Sequence, residues 1–217
     1  MKLLIVGKPG AGKGTQASMI DSYYHIPHIS TGAIFREAIN DKTELGVIAK
    51  SYIDKGNLVP DEITIGLVEE RLLKDDCKHS FLLDGFPRNE AQAEALDEFL
   101  VKHNLKLDCV LNVDVPDDIL IKRIVGRRVC SNCGETYNLT FNPPKRADLC
   151  DKCSGKLLHR SDDKEDTFKN RLFVYEENTA PLIEYYQNKG ILKSINGDQP
   201  LDEVFGDIKD ILSKLED

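Results

Sequence analysis

The sequence predicts an α/β protein: a doubly wound, five-stranded parallel sheet with two segments inserted at its carboxyl edge. Three observations predict it. Short apolar runs recur with helical patterns between them, the alternation that builds parallel sheets. The first run, Lys2–Val6, leads straight into a glycine-rich loop and a helix. Two stretches break the alternation and read as insertions.

Leu3-Leu4-Ile5-Val6 is evenly apolar and short, as a strand buried on both faces must be. Gly7-Lys8-Pro9-Gly10-Ala11-Gly12-Lys13-Gly14-Thr15 follows, and a helix is expected from Thr15 to Tyr24. Strand, glycine loop, lysine and helix in this order form a phosphate-binding loop of the P-loop NTPase type. Gly10, Gly12 and Gly14 should free the backbone so that successive N–H groups, the helix N-terminus and Lys13 meet one polyphosphate. The simple motif has Ser or Thr directly after the lysine. Here Gly14 intervenes and Thr15 carries the hydroxyl, a variant that points toward kinases of small molecules and nucleotides.

Further strands are expected at Ile26–Ile29, Phe81–Leu83, Cys109–Val113 and Ile191–Ile195. From Thr31 to Val59 there are two helical stretches and no strand. From Gly126 to Asp163 the chain is loop-rich. The expected division is a core of 1–29, 60–125 and 164–217, an insertion at 30–59 and a second at 126–163. Ligands of open α/β sheets bind at the carboxyl edge, where both insertions would lie. The run Asp162-Asp163-Lys164-Glu165-Asp166 reads as a solvated helix start.

The chain has 217 residues and a formal net charge of -8, from 37 acidic and 29 basic side chains. That balance argues against a nucleic-acid binder, which needs a basic face. No apolar run approaches the roughly 18 residues of a membrane span. Met1-Lys2 leads directly into a strand, so no signal peptide is expected and the reading is cytoplasmic. In such a compartment six cysteines argue for metal or free thiols over disulfides. Cys130-x-x-Cys133 and Cys150-x-x-Cys153 have the spacing of a four-thiolate zinc site. Cys77 and Cys109 lack partners and read as core residues.

Phe81-Leu82-Leu83-Asp84 is an apolar strand that ends in a carboxylate, the position from which a phosphate-loop protein contacts Mg²⁺. Arg36, Arg88, Arg123, Arg127, Arg160 and Arg171 fall near expected loop–helix junctions or in the insertions. On an acidic protein they read as a charge clamp for polyphosphate. His25, His28 and His159 have no carboxylate partner in sequence and read as surface or structural. Neither Gly-x-Ser-x-Gly nor His-Glu-x-x-His occurs.

His28-Ile29-Ser30-Thr31-Gly32, Tyr52-Ile53-Asp54-Lys55-Gly56, Leu58-Val59-Pro60-Asp61, Asp84-Gly85-Phe86-Pro87-Arg88, Gln92, Gly126-Arg127-Arg128, Phe141-Asn142-Pro143-Pro144 and Arg171-Leu172 follow the loop in order. With these motifs the whole chain resembles the adenylate kinase family, in its bacterial form with a long, zinc-bearing lid. The resemblance implies reversible, Mg²⁺-dependent phosphoryl transfer from ATP to AMP giving two ADP, and a role in adenine nucleotide homeostasis. It implies a monomer acting on small molecules, with no nucleic-acid or membrane partner.

By motif position, Gly10, Ala11, Gly12, Lys13, Gly14 and Thr15 would hold the ATP phosphates. Arg123 and Arg127 would reach ATP from the lid side, with Thr136, Tyr137 and Gln199 completing that site. Thr31, Arg36, Asn57, Leu58, Val59, Gly85, Phe86, Pro87, Arg88 and Gln92 would form the AMP site, and Gln92 would read adenine. Arg160 and Arg171 would also belong to the AMP site and would neutralise the transferring group, with Lys13, Arg88, Arg123 and Arg127 as further catalytic cations and Asp84 acting through Mg²⁺. The two insertions would close over AMP and ATP and exclude water. Zinc would replace a core that the short lid cannot build.

Three departures from the family pattern stand out: Ala33 where Asp is usual, Lys8 in place of an apolar loop residue, and Asn89 where Thr is common. Three rival readings stay open. The chain could phosphorylate UMP or GMP, act as a nucleotide-binding regulator without turnover, or be a zinc-ribbon nucleic-acid module fused to an ATP switch. Thr31 and Gln92 favour AMP.

Overall fold

The computed structural model describes residues 1–215. The chain runs β1 (Lys2–Val6), α1 (Lys13–Tyr24), β2 (His28–Ser30), α2 (Thr31–Asn40), α3 (Glu44–Ile53), α4 (Asp61–Leu72), β3 (Phe81–Asp84), α5 (Glu90–Lys102), β4 (Cys109–Asp114) and α6 (Asp117–Gly126). It continues through β5 (Arg127–Cys130), β6 (Thr136–Asn138), β7 (Leu157–Leu158), α7 (Glu165–Val174), a π turn (Tyr175–Thr179), α8 (Pro181–Asn188), β8 (Leu192–Asn196) and α9 (Leu201–Leu212).

The main sheet has the order β2-β3-β1-β4-β8, with every pairing parallel. The five expected strands are these five, shifted by at most two residues at their ends. Helices cover both faces, so the central strands are apolar throughout. Leu3, Leu4, Leu82, Leu83, Val110 and Leu111 are fully buried. Each contributes about 1.5–3 kcal/mol by leaving water. One face packs on α1, α6 and α9 through Ile20, Leu120 and Ile208. The other packs on α4, α5 and α8 through Val68, Phe99 and Tyr186. Cys77 and Cys109 belong to these two cores, as expected.

Helix α1 begins two residues earlier than Thr15. The left-handed residues around the loop are Gly7 (φ 141°), Gly10 (φ 88°) and Gly12 (φ 95°). Gly14 is instead an ordinary helical residue inside α1, which corrects the role expected for it. A side chain at Gly7 would also strike the Val113 carbonyl, so strand contact and loop geometry both demand glycine there.

Helices α2 and α3 enclose a small core of Phe35, Ala49 and Val59, with Ile39, Tyr52 and Ile53 against it. The 126–163 segment is more regular than its loop-rich sequence predicts. It holds a three-stranded antiparallel sheet in the order β6-β5-β7. Its core is only Cys130, Tyr137, Cys150 and Leu157. Strands of two to four residues carry too little apolar pattern to be read from sequence.

Candidate active site

The loop after β1 wraps the start of α1, whose first residue is Lys13. The Lys13 ammonium donates to the Gly7 carbonyl at 2.7 Å and the Lys8 carbonyl at 2.9 Å. Burial pushes its pKa down to about 7. Asp84 pulls the other way, while Arg88, Arg171 and Arg127 add to the depression. A cation held in this state gains most when an anion arrives.

Asp84 ends β3, in register with Ile5 of β1 and Ser30 of β2. Its Oδ2 lies 3.4 Å from His28 Nε2. This corrects the sequence reading that gave His28 no carboxylate: the partner is 56 positions away and arrives through strand pairing. Burial alone would raise the Asp84 pKa, but His28, Lys13 and Arg88 hold it below the usual range. An ionised carboxylate beside the phosphate loop suits a hard cation such as Mg²⁺, directly or through water. Ala33, in the first turn of α2, is exposed and adds no carboxylate; that turn contains none.

A cleft is lined by Thr31, Arg36, Asn57, Leu58, Val59, Gly85, Arg88, Gln92, Arg160 and Arg171. Ten of the residues expected at one site therefore converge on one cavity, drawn from five separate stretches of chain. Phe86 and Pro87 are buried and do not line it. Phe35, Ile53, Thr64 and Asp162 line it unexpectedly. Thr31 Oγ1 donates to the Gly85 carbonyl at 2.8 Å, and Arg88 Nε donates to the same oxygen at 2.8 Å. Gln92 is buried with both amide atoms engaged. Its Oε1 accepts the Arg88 N–H at 2.8 Å and its Nε2 donates to Asp61 Oδ1 at 2.7 Å. Asn89 caps α5 by accepting the Gln92 N–H at 2.8 Å and also donates to Asp61, so this departure is structurally sound.

The arginines are held by Asp162 and Asp163, both buried. Asp162 accepts from Arg160 Nε at 2.8 Å and from Arg171 Nη1 at 2.9 Å. Asp163 accepts from Arg127 Nε at 2.7 Å and from Arg171 Nη1 at 3.3 Å. The sequence reading of these two acids as solvated is overturned: four carboxylate oxygens meet three guanidinium groups out of water. Only Lys164, Glu165 and Asp166 form the exposed helix start. Burial drives Arg36 and Arg171 down to about 9. Arg160 adds to it at Arg36, while at Arg171 Asp162 resists and Arg127 and Arg160 reinforce. Lys13, Arg36, Arg88, Arg127, Arg160 and Arg171 outnumber Asp84, Asp162 and Asp163, which leaves a preorganised positive field.

A second cleft, between α1, α9 and the lid, is lined by Gly14, Thr15, Thr136, Asn142, Lys152 and Leu201 among others. Arg123 lines neither cleft; it donates to the Gly197 carbonyl at 2.9 Å and lies 5.6 Å from the Phe141 ring centre. Gln199 donates to Asn196 O at 2.9 Å and to Asp207 at 2.7 Å, and does not line that cleft. Tyr137 turns away from it into the lid core.

The four lid thiols bring their sulfurs within 4.8 Å of one another. Cys130–Cys153 is 3.4 Å, Cys133–Cys150 3.6 Å and Cys133–Cys153 3.4 Å. A disulfide needs about 2.0 Å, whereas sulfurs around a tetrahedral zinc at about 2.3 Å lie about 3.8 Å apart. The donor set therefore fits a structural zinc, with no ligand position left for water.

The adenylate kinase family model matches residues 5–191. Curated adenylate kinases align along the full chain. The protein of Clostridium acetobutylicum is 55% identical over 215 residues, covering 99% of this chain and 100% of the relative. That of Geobacillus sp. is 55% identical over 216 residues, and that of Bacillus cytotoxicus 56% over 215, each covering 100% of the relative. By the family model and these full-length relatives, the chain belongs to the adenylate kinase family.

Proposed function

We propose that the chain transfers a phosphoryl group from ATP to AMP, giving two ADP, in a reversible reaction. The observation that carries this reading is a positive cluster: Arg88, Arg160 and Arg171 line the first cleft, and Arg88, Arg171 and Arg127 lie near enough to Lys13 of the phosphate loop to depress its pKa. Phosphoryl transfer needs positioning and charge compensation more than a base.

The Gly10–Thr15 amides and Lys13 hold the donor phosphates. Arg36 and Arg88 hold the acceptor phosphate. Arg127, Arg160 and Arg171 take up charge that spreads over the moving group. Asp162 and Asp163 hold those arginines in place, so their ordering cost is met on folding. Gln92, held by the Arg88 N–H and Asp61, would read the acceptor base. Mg²⁺, held through Asp84, would neutralise the phosphate oxygens of the donor. The 30–59 and 126–163 segments, each with its own small core, are the parts that close over substrates and keep water from the donor. Zinc on the four cysteines stiffens the second.

The acidic balance of the chain supports a small-molecule enzyme with no nucleic-acid partner. No helix among the described residues is long and apolar enough to cross a membrane. We take the working form to be a cytoplasmic monomer.

A coupled assay with ATP, AMP and Mg²⁺ tests the reading, with UMP and GMP as rival acceptors. ADP formation that requires AMP is expected. Nucleotide binding without ADP would make the protein a regulator, and a preference for UMP or GMP would overturn the assignment of the acceptor site.

A further inference from the structure

Tyr137 is the middle residue of β6, and its neighbours on that strand face differently. Thr136 lines the cleft beside the phosphate loop, and Asn138 Nδ2 donates to the Arg123 carbonyl at 2.7 Å. Tyr137 points inward, packed with Cys130, Cys150 and Leu157. Its hydroxyl accepts the Asp151 N–H at 2.8 Å and lies 3.5 Å from Cys150 Sγ. With the amide occupying the acceptor side of the oxygen, the single phenolic proton is directed at sulfur.

The choice of sulfur is informative. Four thiolates on a divalent ion carry a net charge of about -2. Cys133 and Cys153 are exposed and can share charge with water, but Cys130 and Cys150 are buried, Cys150 completely. A buried thiolate can spread charge only onto hydrogen-bond donors. Cys130 has the Asn132 N–H at 3.4 Å, and Cys150 has the Tyr137 hydroxyl.

We propose that Tyr137 is a positioning residue for the four-cysteine site: its hydroxyl holds Cys150 as a ligand thiolate and pins the 150–153 turn through the Asp151 amide. The proposal rests on the reading that these cysteines hold zinc. It explains why a tyrosine on the ATP-facing strand turns its side chain away from the cleft. Outer partners of metal ligands typically govern metal affinity 10- to 100-fold.

The test compares wild type, Tyr137→Phe and Leu157→Ala, each loaded with Zn²⁺ or Co²⁺. Tyr137→Phe keeps the ring and removes only the hydroxyl, while Leu157→Ala loosens the same core without touching a sulfur. Tyr137→Phe is expected to weaken zinc about tenfold or more in chelator competition. It should also move the thiolate-to-cobalt charge-transfer band to longer wavelength, because the sulfur becomes more electron-rich. Leu157→Ala should lower Tm and leave the band in place. An unshifted band with unchanged affinity in Tyr137→Phe overturns the proposal. A purely packing role would make the two variants alike and overturns it too. If Tyr137→Phe fails to fold, ¹¹³Cd-loaded wild type decides: coupling between the Tyr137 hydroxyl proton and the metal supports the bond, and its absence overturns it. Wild type without stoichiometric zinc and without a tetrahedral Co²⁺ spectrum defeats the metal reading itself, and the proposal with it.

Discussion

The Arg127 guanidinium donates to both oxygens of Asp163, a carboxylate with no exposed side-chain surface. Arg127 opens the lid and Asp163 closes it, so this pair clasps the two ends of the inserted segment. Arg171 joins it from α7, and through Asp162 the clasp extends to Arg160. The three guanidinium groups proposed to take up charge on the moving phosphoryl group are thereby held at the ends of the 126–163 segment.

Asp162 gives this clasp a pH signature. Burial raises its pKa, but the charges of Arg160 and Arg171 outweigh burial and hold it well below the usual carboxylate range. A depressed native pKa stabilises above the unfolded value of about 3.9, and that stability drains as pH falls through and below it. Tm measured from pH 6 down to pH 3 should therefore fall less steeply for Asp162→Asn than for wild type. At pH 7 the variant should be less stable by about 3 kcal/mol, since it leaves buried arginines short of a partner. Parallel Tm–pH curves would show that Asp162 carries none of the acid sensitivity.

Lys13 makes binding proton-linked. With a pKa lowered to about 7, it is mostly neutral at pH 8, and a polyphosphate restores its charge. Binding of tripolyphosphate at pH 8 should take up close to one proton, read from calorimetry in buffers of different ionisation heat. At pH 6 the uptake should approach zero, and in Lys13→Met it should vanish at both. The same variant should fold normally and lose about 10³-fold or more in kcat. Uptake that persists in Lys13→Met would assign the proton elsewhere.

What was legible in the sequence was whatever sits in consecutive residues. Leu3 to Val6 and Phe81 to Leu83 are buried on both faces, so an apolar run suffices to place them. The glycine loop and the cysteine pairs carry their chemistry in their spacing. What was hidden depended on distant partners. Asp162 and Asp163 sit in a charge run that looks solvated, but inside the protein they meet Arg160, Arg171 and Arg127, the last of which lies 36 positions away from Asp163. His28 meets Asp84 because β2 pairs with β3. The lid strands are organised by sulfur rather than by apolar periodicity, so β5 to β7 left no pattern to read.

Lys8 bridges α6 and the π turn. Its ammonium lies 2.7 Å from Asp117 at the start of α6 and 2.9 Å from Glu176 in the π turn. Both carboxylates are mostly in water, so Lys8→Met should change stability by no more than about 1 kcal/mol. The two acids would then face the phosphate loop uncompensated. KM for ATP should rise about 2- to 5-fold at low salt, and the difference should fade near 1 M salt, where screening acts over about 3 Å. KM for AMP should stay constant. A salt-independent change would locate the effect in loop packing instead of charge.

Ala33→Asp restores a carboxylate to the first turn of α2, next to the β2 end that pairs with Asp84. The helix dipole favours an acid there by about 0.3–1 kcal/mol. If the new side chain also orders water around Mg²⁺, half-maximal activity should need less Mg²⁺, by up to about tenfold for a charged hydrogen bond of roughly 1.5 kcal/mol. Tm should rise slightly. Superimposable Mg²⁺ titrations would mean that Asp84 alone sets the metal dependence.

The lid and the acceptor site should fail separately. Cys150→Ser removes the fully buried thiol from a lid core of four residues, leaving the three short strands little else to fold around. Structural zinc supplies about 10–16 kcal/mol in small modules, most of it coupled to folding, so the lid should loosen and Tm should fall. ATP affinity and kcat should drop as far as Thr136 and Arg127 lose their placement. The acceptor cleft takes Thr31, Arg36, Val59 and Gly85 from outside the lid and packs on its own core of Phe35, Ala49 and Val59. Calorimetry should therefore find AMP affinity changed less than about threefold. Arg160 and Asp162, which line that cleft from the lid's end, set this margin. Loss of AMP binding in a variant whose main sheet stays folded would show that the clasp transmits lid order to both substrates, and the two segments would then have to be treated as one closing unit.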